Sequence, residues 1–219
     1  SKGGIILKTP NLKILQNINL KEELESILNF SVHIENDANL FTLGEWLSNS
    51  NKDNEIFGGI TLGTGLGFGI IINGKIYSGA HGLAAEYAIS PLDGGNWESK
   101  VSIRAIDTIS QKYFKNEQLN PKILHQMASN GDENAIQIWK EFGVNLGMAL
   151  SHFINLIDPH RISIGGGISN AFKFFNQSMI DTIKNHSPSY NKFNIEIFES
   201  NQKELSAQLG AAALVKDYH

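Results

Sequence analysis

FGGITLGTGLGFGIIINGKI, residues 57–76, governs how the rest of the chain is read. Ile60-Thr61-Leu62 and Gly69-Ile70-Ile71-Ile72 are apolar, β-branched runs of strand length. Gly63-Thr64-Gly65-Leu66-Gly67 joins them. Asn73-Gly74 follows, a two-residue hairpin signal, because both residues accept the left-handed backbone that such turns require. Lys75-Ile76-Tyr77 is then the return strand. The alternating glycines let the backbone come close to an anion, and the loop N–H groups with the Thr64 hydroxyl suit phosphate oxygens. No helix opens directly after them, so this is not the dinucleotide fingerprint. Taken alone, a glycine-rich β-hairpin without a ligand is the plainer explanation of the same residues.

Strands and helices alternate outward from this segment. Gly3 to Leu7 reads as a turn and short strand, stopped by Thr9-Pro10-Asn11-Leu12. Leu20 to Leu28 has helical spacing, Ser31 to Ile34 is a short strand candidate, and Ala38 to Leu47 is helical. Ser78 to Gly95 reads as loop with a short helix. Ser99 to Tyr113 and Glu133 to Ile157 are long helices. The second carries a wide apolar face that includes Trp139, Phe142, Leu146, Leu150 and Phe153. Arg161 to Ile164 is a strand that runs into Gly165-Gly166-Gly167. A helix at Phe172 to Asn185, a strand at Ile195 to Phe198 and an Ala-rich helix at Ser206 to Val215 complete the chain. This order indicates an α/β fold in a single domain, with helices covering a sheet.

Three groups of residues carry chemistry. Gly165, Gly166 and Gly167 sit at the carboxyl end of a strand, where ligands bind in α/β sheets. Only small residues there let a flat nucleotide lie against the backbone, although a tight strand-to-helix turn needs them too. Glu35-Asn36-Asp37 puts a carboxylate and an amide before a helix. An Asp so placed can take the proton of a sugar hydroxyl as its oxygen attacks a phosphoryl group, and helix capping by Asn36 or Asp37 accounts for the same residues. Glu86 and Glu98 lie in Gly-rich or irregular sequence, where surface carboxylates are ordinary. With Asp37 they would make an acidic pocket for a polyol. His81 lies in the same glycine-rich loop as Glu86. The other histidines are scattered without metal-ligand spacing, and Trp46, Trp97 and Trp139 read as packing residues.

Composition narrows the classes. The net charge of −4 argues against a nucleic-acid or anionic-membrane partner, since either needs a basic surface. There is no cysteine, hence no disulfide, thiol nucleophile or Cys-based zinc site. No apolar stretch approaches the roughly 20 residues that span a bilayer, and no signal peptide is expected. A cytoplasmic protein is the expectation.

Taken together the blocks resemble the ROK family, named for repressors, open reading frames and sugar kinases. Pro10-Asn11-Leu12 is similar to the family's P-N-L, and VHIENDANLFTLGE (32–45) to its V-x-x-E-N-D-A-N-x-x-A-L-G-E. Leu62 to Gly69 resembles the second phosphate loop, L-G-T-G-x-G-x-G. GAHGLAAE (79–86) resembles G-A-x-G-x-A-G-E, Gly165 to Gly167 the adenosine-side glycines, and LGAAA (209–213) the closing helix. The resemblance implies an actin-like ATPase (ribonuclease H-like) fold, with a mixed sheet flanked by helices. It implies ATP-dependent phosphorylation of a hexose or N-acetylhexosamine, at the 6-hydroxyl, with Asp37 as base. Asn36, Asp37, Glu86 and Glu98 would hold sugar hydroxyls. Gly63, Thr64, Gly65 and Gly67 would face the ATP phosphates, Gly165, Gly166 and Gly167 would lie near adenosine, and Mg2+ would travel with ATP. The family is commonly dimeric, so a homodimer is expected. The alternatives are a sugar-sensing transcriptional regulator of the same family and a degenerate, non-catalytic paralogue.

Two departures stand beside the matches. The family's zinc-binding His and Cys-rich loop are missing: the His position is Ile89, and only Ser90 to Trp97 separates it from Glu98. Tetrahedral zinc needs a full ligand set, so no structural zinc is expected. The family's first domain, which opens with D-x-G-G-T, is largely absent before the 32–45 block, and the first residue is Ser1. Residues 1–219 are therefore expected to be the C-terminal sugar- and nucleotide-binding domain, and a poor kinase alone.

Overall fold

The 57–76 segment folds as the hairpin its residues dictate. In a computed structural model that describes residues 3–6, 13–49, 55–115, 119–202 and 205–216, β1 (Ile56–Leu62) runs antiparallel to β2 (Leu66–Ile72), which turns at Asn73-Gly74 into β3 (Lys75–Ile76). Asn73 and Gly74 both have positive φ, as that turn requires. Ahead of β1 lie α1 (Leu20–Leu28) and α2 (Asp37–Asn49). After β3 come a 3-10 turn (Glu86–Ile89), a ladder of β4 (Pro91–Leu92) with β5 (Gly95–Asn96), and α3 (Trp97–Lys100). Then follow α4 (Ile103–Ser110), α5 (Pro121–Ser129), α6 (Glu133–Ile157), β6 (Arg161–Gly165) and a 3-10 turn (Gly167–Ala171). The chain continues through α7 (Phe172–His186), α8 (Pro188–Phe193), β7 (Glu196–Glu199) and α9 (Leu205–Lys216). Pro10-Asn11-Leu12 and the end of the Gly3–Leu7 strand lie outside the described residues.

The sheet order is β3-β2-β1-β6-β7, with β6 parallel to both β1 and β7. It is a mixed sheet. Alternation along β1 and β2 divides their side chains between two faces. Ile60, Leu62, Phe68 and Ile70 join α6 residues Leu146, Leu150 and Phe153 in the main core. Phe57 and Ile71 pack with Leu43 of α2 on the other face.

Glycine decides how close α2 comes to the sheet. Gly59 and Gly69 are cross-strand partners. A Cβ on either would stand 2.1 Å from Thr42 Oγ1, and one on Gly67 would stand 2.9 Å from Ala38 Cβ. The bare column lets α2 lie almost on the backbone of β1 and β2, which carries its N-terminus to the carboxyl end of β1. The α2–α9 contact is equally close, because Gly44 faces the Ser206 carbonyl and Gly210 the Leu40 carbonyl, with Cβ clearances of 1.8 and 1.9 Å.

Two sequence expectations are corrected. Ser31 to Ile34 forms no strand. Instead of joining a ladder, the Val32 N–H donates to the Glu25 carboxylate at 2.9 Å. Ser99 to Tyr113 is not one helix: α3 stops at Val101, and Ser102 caps a new helix, α4, by accepting from the Ala105 N–H at 3.4 Å. The break turns the chain so that the Ile103 N–H reaches the Gly63 carbonyl at 2.9 Å. α5 and α8 were not anticipated, although Asn120-Pro121 and Ser187-Pro188 both carry the start signal of Pro at the first helical position. Nor was the β4–β5 hairpin, although Asp93-Gly94 is its turn signal.

Candidate functional site

α2 begins where β1 ends. Asn36 caps it, its Oδ1 accepting from the Ala38 N–H at 2.8 Å and more weakly from the Asn39 N–H at 3.4 Å. Asp37 Oδ1 also accepts from the Ala38 N–H, at 2.9 Å. Capping and ligand binding are therefore compatible here, since Asn36 keeps its amide donors and Asp37 its second oxygen. Both residues are exposed on the cavity side. Glu35 Oε1 holds the entry to the helix by accepting from the Asn36 N–H and from Asn39 Nδ2.

Asn36, Asp37, Glu86, Glu98, Gly63 to Gly67, Gly166 and Gly167 line one cavity of about 460 Å³. Residues far apart in sequence meet there because the β1–β2 loop, the α2 N-terminus and the β6 carboxyl end share one edge of the sheet. Glu86 opens a 3-10 turn, and Ala85 just before it has a left-handed backbone (φ +66°). That conformation costs a non-glycine residue about 1–2 kcal/mol, and it re-aims the chain at Glu86. Glu98 is tied to the glycine loop, as its Oε2 accepts from the Leu66 N–H at 3.3 Å.

The glycines divide by task. A Cβ on Gly63 or Gly167 would meet nothing within 4 Å, so these two present bare backbone to open space. A Cβ on Gly65 would stand 2.6 Å from Glu98 Oε2, and Gly67 makes room for Thr61 and Ala38. Gly166 has φ +87° and lies against the Leu62 backbone. Gly165 does not line the cavity: its missing Cβ makes room for the Phe41 ring, 2.5 Å away. The Gly63 N–H donates to the Gly65 carbonyl at 3.0 Å. Among the described residues, the Thr64 and Gly65 N–H groups have no hydrogen-bond partner. Thr64 and Glu98 also border a second cavity of about 790 Å³, lined further by Ser102, Ile103, Arg104, Asp107 and Asn120. Sequence reasoning missed that cavity because only the fold brings the β1–β2 loop, α3, α4 and the residues just before α5 around one space.

His81 lines a separate groove of about 670 Å³ with Tyr77, Leu83 and Leu156, and that groove shares Ala84 to Glu86 with the first cavity. Ile89 is 62% exposed and lies outside the first cavity. Trp97 and Trp139 are buried, as packing residues are. Among the described residues, no group of three or more His, Asp or Glu side chains is placed to hold a metal ion, and no helix is long and apolar enough to cross a membrane.

A profile of the ROK family matches residues 1–218. The chain belongs to the ROK family. Two curated ROK relatives set its likeness. An N-acetyl-D-glucosamine kinase of Vibrio atlanticus is 31% identical over 69% of this chain and 56% of its own length. A xylose repressor of Caldicellulosiruptor bescii is 27% identical over 98% of this chain and 59% of its own length. The chain thus spans between half and two thirds of these relatives. A crystal structure of a ROK glucokinase from Streptomyces griseus, in complex with glucose and AMPPNP, superposes with a TM-score of 0.83 at 24% identity, covering 99% of this chain and 78% of that one. The fold is thus the actin-like ATPase fold of ROK sugar kinases, a mixed sheet flanked by helices.

Proposed function

We propose that residues 1–219 are the C-terminal, sugar- and nucleotide-binding part of an ATP-dependent kinase that phosphorylates the 6-hydroxyl of a hexose or N-acetylhexosamine. The observation that carries this reading is the convergence of Asn36, Asp37, Glu86 and Glu98 with the Gly63–Gly67 loop around one cavity. Carboxylates accept hydrogen bonds from a ring of hydroxyls, and an amide donates to them. Asp37 takes the proton of the attacking hydroxyl, the sugar oxygen bonds to the γ-phosphorus, and the bond to ADP breaks. Gly63 fits a phosphate chain and Gly167 the adenosine side, because bare backbone faces open space at both, and the Thr64 and Gly65 N–H groups are available to the phosphates. Gly65, Gly67 and Gly166 support that loop from within, and Gly165 does so from behind. Mg2+ would come with ATP and would supply charge neutralisation on the transferred group. No structural zinc belongs to this reading.

The remainder of the reading concerns the whole protein. α1 has no buried residue, and Ile27, Leu28 and Phe30 are 71%, 50% and 76% exposed. An apolar face of this kind beside Asn36 suits a preceding lobe that carries the first phosphate loop, and the relatives are longer than this chain by enough to hold one. Without it the chain is a poor kinase, since phosphoryl transfer needs charge stabilisation from every side. A cytoplasmic homodimer that acts on small sugars completes the proposal.

The likeness to a xylose repressor supports a second reading, a sugar-sensing regulator that uses the same pocket without chemistry. A coupled ATP assay of the complete polypeptide over hexoses and N-acetylhexosamines separates the two. A kinase turns over at least one of them, and Asp37→Asn lowers its kcat by about 10²–10⁴-fold, the range for losing a general base. Unchanged turnover in Asp37→Asn removes Asp37 as the base. Sugar binding without turnover by the wild type supports the regulator.

A further inference from the structure

Glu86 and Glu98 sit on two of the shortest elements in the molecule. Each is a single four-residue turn, too short to hold its shape by its own hydrogen bonds. The β4–β5 ladder between them has two residues per strand, and its Gly94 and Gly95 have positive φ. The Glu86 carboxylate has no hydrogen-bond partner among the described residues, so its place depends on its turn. The Glu98 carboxylate is held to the glycine loop by the Leu66 N–H, so what remains to be set is where the Glu86 turn stands against it.

Each carboxylate has an aromatic neighbour in sequence, in mirror order: Glu86-Tyr87 and Trp97-Glu98. The two rings stack with centroids 6.1 Å apart and planes inclined by 26°. Trp97 is 5% exposed. Its other ring contact is an edge-on meeting with His152 of α6 at 5.1 Å. Tyr87 stands edge-on to Phe68 of β2, also at 5.1 Å, and Phe68 rests on Phe153 of α6 at 5.3 Å. Both turns are thereby referenced to the same long helix, α6, and the Glu86 turn to β2 as well. The Tyr87 hydroxyl is buried with no well-aligned hydrogen-bond partner among the described residues, and the polar interaction it does have is with the Trp97 side chain.

We propose that Tyr87 and Trp97 are positioning residues whose stacked rings set the separation of the Glu86 and Glu98 carboxylates across the cavity. The proposal rests on the sugar-binding reading above. A stacked pair contributes modestly to stability, but loss of the stack lets one short turn shift against the other. Sugar affinity then falls because two hydroxyl acceptors no longer fit one ligand.

The test is calorimetric titration of the complete polypeptide with glucose and N-acetylglucosamine, for the wild type, Trp97→Leu, Tyr87→Leu and the double variant. Thermal melts run in parallel. Each single variant is expected to weaken sugar binding about two- to tenfold, the span an aromatic pair carries. The double variant should be scarcely worse than either single one, since one stack is lost in all three. Trp97→Phe should recover most of the loss. If Trp97→Leu does not fold, the Tyr87→Leu arm decides. Variants that melt lower but bind sugar as the wild type does make the stack purely structural and overturn the proposal. So do two losses that simply multiply. A wild type that binds neither sugar overturns the sugar-binding reading, and this proposal with it.

Discussion

Glu45 offers the sharpest test of how this fold is held together. It lies on α2 and is fully buried. Its Oε2 accepts from Ser163 Oγ of β6 at 2.6 Å and its Oε1 from Ser200 Oγ at 2.7 Å. Ser206 Oγ of α9 also donates to Oε1, and Asn49 Nδ2 reaches Oε2 at 3.4 Å. One side chain thus ties α2 to the sheet, to the segment after β7 and to the closing helix. A hydrogen bond to a charged group contributes about 1.5–3 kcal/mol, and a buried donor left unmade costs about 1–3 kcal/mol. Three hydroxyls share one carboxylate, so the terms overlap and do not add. Glu45→Ala is expected to cost about 3–5 kcal/mol, a large part of the roughly 5–15 kcal/mol that holds an ordinary domain folded. Glu45→Gln keeps the shape and one acceptor oxygen, and one serine hydroxyl can rotate to accept from the new amide. It should cost about 1–2 kcal/mol. Urea denaturation followed by tryptophan fluorescence measures both, as a fall in midpoint at unchanged slope. Ser200→Ala and Ser206→Ala should be coupled, because they share Oε1. A Glu45→Ala variant within about 1 kcal/mol of the wild type, or strictly additive serine losses, would refute the account of a shared anchor.

Other variants test the placement of the site. Gly69→Ala puts a Cβ 2.1 Å from Thr42 Oγ1 and 2.7 Å from the Ala38 carbonyl. It should destabilise by about 1–3 kcal/mol, the usual cost of overpacking, and should weaken sugar affinity as α2 lifts from the sheet; a neutral melt would show that α2 does not lie as close as described. Gly166→Ala and Gly167→Ala should behave oppositely in stability assays. The first forces a Cβ 2.3 Å from the Leu62 carbonyl at φ +87° and should cost more than about 1 kcal/mol, while the second enters open space and should stay within about 0.5 kcal/mol. Nucleotide titration of Gly167→Ala then reports whether that open backbone faces the nucleotide, with weaker AMPPNP binding as the expected result.

Local chemistry was enough for much of this molecule. The hairpin at residues 57–76, the caps of α2, and the helices Leu20–Leu28 and Glu133–Ile157 follow from periodicity, turn residues and capping alone, because those signals act within a few residues of the chain. The blocks from Pro10 to Ala213 also carried the family, since their order and spacing survive without any knowledge of contacts. What the sequence could not say is which face each glycine serves. Gly63, Gly65, Gly67 and Gly69 look alike as a phosphate-loop pattern, yet Gly69 and Gly67 make room for α2, Gly65 makes room for Glu98, and Gly63 alone of the four meets open space. That division depends on strand register and on what packs above each Cα. Likewise Glu45 reads as one helical carboxylate among several, and only packing brings three serines from distant segments onto it. Side-chain type and spacing determined the family and the candidate chemistry. The close approach of α2 to a glycine-lined sheet decided where Asp37 stands, because a distance between elements is set by the atoms that are missing between them.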